Sequence, residues 1–144
     1  MITGENVTLE RLMAALRFAK LSFNTVDENG LYVTNLSIPT WIYIDGLDQF
    51  TTCLVFSTYV LFNDGSDVDI LEALSLANKI NSEYKPNQIY VQSGRLSAIY
   101  YLYNGQGISD AFFVDCLKIC SNSFCSGIRK HDVLSLVNSK FFED

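Results

Sequence analysis

The sequence is poor in the residues from which catalytic and ligand sites are usually built. It has one histidine, His131, and ten lysines and arginines against sixteen aspartates and glutamates, for a net charge of -6. One histidine excludes a histidine-rich metal site. Cys125 could pair with it as nucleophile and base, but an exposed histidine after Arg129 and Lys130 at a helix start is the simpler reading. The cations are scattered, and Arg129-Lys130 is the only adjacent pair. A phosphate-binding surface needs clustered cations, so nucleic acid is not an expected partner, and neither is an anionic membrane. Long apolar runs are missing too. Cys53 to Phe62 and Leu96 to Tyr103 are too short to span a bilayer as helices. The start, Met1 to Asn6, lacks a basic and an apolar region, so no secretory signal is expected and the cytoplasm is the default location.

Catalytic signatures are equally scarce. There is no G-x-S-x-G, no H-E-x-x-H, no paired C-x-x-C and no convincing acid–base pair of carboxylates. Gly105-Gln106-Gly107 fits neither a phosphate loop nor a dinucleotide loop, because Asp110 stands where a third glycine belongs. Asp64, Asp67, Asp69 and Glu72 do not follow the spacing of an EF-hand loop. Asp67 and Asp69 fit the first turn of a helix, where the macrodipole favours negative charge. No cofactor and no metal are expected.

What is present is enough apolar residue for one domain over 1–144. About half the residues are hydrophobic, and a chain of this length buries roughly 70% of its unfolded surface. Cys116 and Cys120 lie four apart on an apolar helical stripe and read as small core residues. With Cys53 and Cys125 they read as reduced thiols. Whether Cys125 is reactive stays open.

Apolar spacing predicts a helix over Val7 to Lys20, capped by Asn6 or Thr8. Strand signals follow over Leu21 to Val26 and Leu31 to Leu36, joined at Asn29-Gly30, a strong hairpin pair. Pro39 marks an edge or loop. Trp41 to Ile44 and a long, bulged or bent Phe50 to Phe62 complete an antiparallel meander. Ser66-Asp67-Val68-Asp69 has the form of a capping box opening a helix from Asp67 to about Glu83. Val68, Leu71, Leu74, Ala77 and Ile80 form its expected inner stripe. After a break at Lys85-Pro86-Asn87, Gln88 to Gln92 and Arg95 to Tyr103 form a second hairpin turned at Ser93-Gly94. A helix over Ser109 to Ser126, stopped by Gly127, and a last helix from His131 or Asp132 to Phe142 close the chain, with Val133, Leu134, Val137 and Phe141 inward. Hairpins with helices on one face imply an α+β fold with an antiparallel sheet.

Successive strand residues face opposite ways. With Tyr100 and Leu102 toward the core, Ile99, Tyr101 and Tyr103 line the other face. Such a face serves as an interface or groove, or else loops or the last helix cover it. Asn78 and Asn81 lie three apart and share a helix face. Their amides either satisfy backbone groups near the helix end, the favoured reading, or touch a ligand.

The stretch Leu71 to Tyr103 carries a resemblance. Ala77-Asn78-Lys79-Ile80-Asn81 is a hydrophobic-Asn-x-hydrophobic-Asn helix end, followed by a strand, the turn Ser93-Gly94-Arg95 and an apolar strand. With the early hairpin Asp27 to Val33 and the final helical region, it resembles the YbjN family of bacterial proteins, candidate sensory transduction regulators. That resemblance implies a fold like that of type III secretion chaperones. It also implies a regulatory or chaperone-like module, not an enzyme, that binds a protein or peptide and forms a homodimer. The alternative is a small-molecule binder or enzyme with a pocket between sheet and helices, where Asn78, Asn81 and Tyr100 could converge.

Overall fold

The longest ladder in the chain joins two distant strands, and the other elements are arranged around it. In the computed structural model, which describes residues 1–3, 6–28, 30–46, 52–83, 87–104 and 107–138, β4 (Thr52–Leu61) pairs with β6 (Arg95–Tyr103) from Cys53↔Tyr103 to Leu61↔Arg95. Outward from β4 run β3 (Thr40–Gly46), β2 (Gly30–Val33) and β1 (Phe23–Asp27). Beyond β6 lies β5 (Gln88–Gln92). All neighbours are antiparallel. Among the described residues three helices, α1 (Leu9–Phe18), α2 (Ile70–Glu83) and α3 (Asp110–His131), complete an α+β fold.

The register fixes which side chains are buried. Leu54, Phe56, Thr58 and Val60 of β4 pair with Leu102, Tyr100, Ala98 and Leu96 of β6, and this face packs under the helices. Phe56 contacts the Phe113 ring of α3, centroids 5.9 Å apart. Two clusters form the core. One joins α1 and the first half of α3 to Leu31, Val33, Ile42, Leu54 and Phe56. The other joins α2 and the second half of α3 to Val60, Ile89, Leu96 and Ala98. Helix α3 therefore spans both. Ser121 on α3 accepts a hydrogen bond from the Ile38 amide and donates one to the Ile38 carbonyl, fixing the β2–β3 connection beneath the helix. Arg11 pairs with Asp110, tying α1 to α3. Glu83 accepts from Lys130 at 2.9 Å and lies 3.0 Å from the His131 ring, tying α2 to α3. Those two partners, Lys130 first, hold the Glu83 carboxyl below its usual range.

Several local expectations change. Thr8, not Asn6, caps α1 by accepting from the Arg11 amide. Asn6 instead exchanges hydrogen bonds with Thr3. The register of β4 runs without a break from Cys53 to Leu61, so the expected bulge is absent from those pairs. The Asn29-Gly30 turn, the break at Lys85-Pro86 and the start of the fourth strand at Phe50 involve residues outside the described ones. Helix α2 begins at Ile70, not Asp67. Gly65 to Asp67 form a 3-10 turn, and Asp69, expected to reach back to a cap, is itself the cap for the Leu71 and Glu72 amides. That start accompanies a different inner stripe of Ala73, Leu76, Ala77 and Ile80, and leaves Leu71 75% exposed.

Over the described residues, the two expected C-terminal helices are one helix followed by an irregular segment at 132–138. Gly127 is buried inside α3, which runs on to His131. Asp132 then accepts from the Leu136 and Val137 amides, a loop closure that competes with helix. Val137 bridges Phe62, and the Asn63 side chain donates to the Ser135 carbonyl. Val133 and Leu134 are exposed rather than inward, Val137 is buried, and Phe141 lies outside the described residues.

Asn81 has the role that its position suggested. Its side-chain amide donates to the Ile89 carbonyl and accepts from the Ile89 amide, both at 2.8 Å. Ile89 sits on the edge strand opposite Ala98, with these groups turned away from β6. Asn78 is exposed on the same helix. Asn81→Ala should therefore lower unfolding stability in urea by about 1–3 kcal/mol, because two edge groups lose partners. Asn78→Ala should stay within about 0.5 kcal/mol. Equal losses at both positions would contradict this division.

The β5–β6 turn makes a second close contact. Gly94 has φ +76, and a Cβ there would lie 2.7 Å from the Gly65 carbonyl carbon and the Ser66 nitrogen. The Phe62 amide also donates to the Gly94 carbonyl. Gly94→Ala combines backbone strain with a backbone clash and should cost at least about 1–3 kcal/mol in the same urea measurement. A neutral substitution would show that the turn is not seated on Gly65.

Candidate functional site

The face of the sheet turned away from the helices carries a row of aromatic side chains. The same register that buries Leu54, Phe56 and Val60 turns Val55, Ser57 and Tyr59 outward, paired with Tyr101, Ile99 and Ser97. Trp41 and Tyr43 on β3 pair with Ser57 and Val55, and Tyr32 on β2 pairs with Trp41. Tyr90 on β5 pairs with Ser97, and Tyr103 pairs with Cys53. The result is an aromatic face that runs from β2 to β5.

Its rings are ordered. Tyr32 and Trp41 have centroids 4.5 Å apart, and Trp41 stacks on Tyr59 at 5.2 Å with planes 9° apart. The Arg95 guanidinium caps this row, 4.2 Å from the Tyr59 centroid. A cation over a ring is attracted by the ring's negative face. Burial, then the neighbouring Tyr59, push the Tyr32 phenol above its usual pKa. Beside the row, Ser57, Tyr59, Tyr90, Arg95 and Ser97 line a shallow polar hollow of about 240 Å³.

The sequence-derived residues fall as follows. Ile99, Tyr101 and Tyr103 lie on this open face; Ile99 is partly covered, while Tyr101 is 42% and Tyr103 62% exposed. Tyr100 lies on the opposite face, against Phe56. Its phenol is pushed up, by burial first and then by Cys116. Asn78, Asn81 and Tyr100 do not converge: Asn78 is exposed, Asn81 is committed to Ile89, and Tyr100 faces α3. Sequence reasoning missed Tyr32, Tyr59 and Arg95. The alternation of Phe50 to Phe62 could have placed Tyr59 with Ser57, but its partner strand could not be read.

The described residues offer little else for chemistry. No group of three or more histidine, cysteine or carboxylate side chains among them is placed to hold a metal ion. No helix among them is long and apolar enough to cross a membrane. A groove of about 230 Å³ lies between α2 and the 132–136 segment, lined partly by Leu71, Val133 and Leu134. All four cysteines are free and buried. Burial raises Cys53, Cys116 and Cys125, with Arg129 opposing at Cys125, and pushes Cys120 up to about 12. Thiolate is the reactive form. A thiol reagent at neutral pH should therefore modify the native protein slowly at every cysteine, and quickly once urea unfolds it. A fast reaction at Cys125 alone, located by peptide mapping, would restore it as a nucleophile.

The fold is similar to that of a solved bacterial protein. YbjN from E. coli, a candidate transcription regulator, matches with a TM-score of 0.70 at 16% sequence identity, over 92% of this chain and 96% of that one. No family model matches the chain, and no curated protein does. The likeness establishes a shared α+β fold over nearly all of both chains.

Proposed function

We propose that the protein is a non-enzymatic regulatory module of the YbjN type that binds a protein partner, a second copy of itself included, through the open face of its sheet. The observation that carries this reading is the aromatic face itself, with Trp41, Tyr59, Tyr101 and Tyr103 turned away from every described helix. Tyrosine and tryptophan bury large area at low entropic cost and are enriched where proteins meet. The regulatory assignment draws on the fold shared with YbjN, and a fold by itself hosts many functions. A chaperone-like binding mode and a cytoplasmic location belong to the same proposal. The buried, unpaired thiols are compatible with a reducing compartment.

The small-molecule or enzyme alternative has less support. Asn78, Asn81 and Tyr100 do not share a cavity, and the cysteines lack the depressed pKa of an activated nucleophile. The test is mass in solution by light scattering. Wild type is expected at twice the chain mass. Tyr101→Glu is expected to be a folded monomer, because a charge inserted into an apolar interface has no partner. A monomeric wild type, or a dimer indifferent to Tyr101→Glu, overturns the sheet-face reading.

A further inference from the structure

The open face is bipolar. Trp41, Ser57 and Ile99 form its middle rung across β3, β4 and β6. Arg95 lies four residues from Ile99 along β6, toward the Leu61 end of β4. Asp45 lies four residues from Trp41 along β3, toward the Cys53 end. Among the described residues of this face, Arg95 is the one cation. Asp45 is exposed, and its charge helps raise the Cys53 thiol beside it. Arg95 and Asp45 are thus placed symmetrically about Ser57, one strand to either side of β4 and at opposite ends.

That placement makes the face complementary to itself. A twofold axis parallel to the face, midway between two copies above Ser57 and perpendicular to the line from Arg95 to Asp45, crosses the strands obliquely and carries Arg95 over Asp45 of a second copy. It carries Asp45 over the other Arg95 at the same time. Packed sheets lie about 10 Å apart, a gap that one arginine and one aspartate side chain span together. Six strands of this length present on the order of 700 Å² per copy, close to the roughly 800 Å² each partner gives to a stable interface. An isologous dimer requires a patch that matches itself. The small Ser57 at the centre permits close approach, and the Tyr59 stack holds the guanidinium at the rim.

The geometry points to a homodimer in which two open sheet faces pack end for end about Ser57, clasped by two Arg95–Asp45 pairs. This rests on the sheet-face reading above and adds the partner and its register.

Charge reversal tests it. Arg95→Glu and Asp45→Arg, each checked for folding by circular dichroism, are expected to raise the dimer dissociation constant at least about tenfold, because like charges then face each other at both ends. Mixed in equal amounts they are expected to form a heterodimer, seen by native mass spectrometry, since each end regains an opposite pair. The double variant is expected to return to a homodimer. Single variants that dimerise like wild type, or a mixture that stays monomeric, overturn the clasp. If Tyr101→Glu still breaks such a charge-indifferent dimer, the sheet-face reading stands and only the register fails. If neither change affects the dimer, or wild type is a monomer, the sheet-face reading fails with it.

Discussion

The pairing of β4 with β6 is the constraint on which the rest depends. Its nine consecutive pairs, from Cys53↔Tyr103 to Leu61↔Arg95, fix the parity of both central strands. Side chains alternate with period two, so a slip of one residue would exchange the two faces. Leu54, Phe56 and Val60 would then face solvent, and Tyr59, Tyr101 and Tyr103 would be driven under the helices. The packing of Phe56 against Phe113 and the seating of α3 across both clusters follow from that parity. So does the existence of an aromatic outer face. Core and candidate site are thus two readings of one register.

The sheet's ends show how such a surface avoids indiscriminate pairing. An edge strand offers unpaired amides and carbonyls to any passing chain. At β5 the Asn81 amide occupies the edge groups of Ile89, near the strand's start. The opposite edge, β1, is five residues long and mostly exposed. With its edge partly occupied by a side chain of its own helix, the sheet presents its face as the larger surface for association. A face is the more selective surface, because packing on it must match side-chain shape and charge as well as backbone spacing.

Much of the fold was legible because local patterns agreed with it. Alternation across Arg95 to Tyr103 correctly separated Leu102 from Tyr101 and Tyr103, and the strand-rich meander and second hairpin emerged from turn residues and β-branched runs. The errors occurred where a tertiary contact outweighed a local preference. Asp69 took the capping role at α2, and Leu71 and Leu74 lie outside the stripe that packs. Gly127 reads as a helix stop in isolation but is buried within α3. Asp132 closes a loop onto Leu136 and Val137, Phe62 bridges Val137, and the Asn138 amide donates to the Leu61 carbonyl, so residues 132–138 are held by the end of β4 rather than by a helix of their own. The site was half visible. Tyr101 and Tyr103 could be placed by parity alone, whereas the Tyr32–Trp41–Tyr59–Arg95 row requires cross-strand register between segments far apart in sequence, which no single window contains.

At 16% identity, what this chain shares with YbjN is a scaffold. The residues that could carry a common function are those the scaffold does not need for folding, and under the proposal above they include those of the open face. Core positions such as Phe56, Ile80 and Phe113 serve packing, and any apolar set of similar volume would serve it. Arg95 is different. It is exposed, buries no core and is held over Tyr59 by a contact that the fold does not require. A charged side chain set over an aromatic ring is, under the proposal, there for what it meets. Under the proposal, whether the two proteins share a role turns on the chemistry of this face, because the closeness with which the backbones superpose speaks for the fold alone.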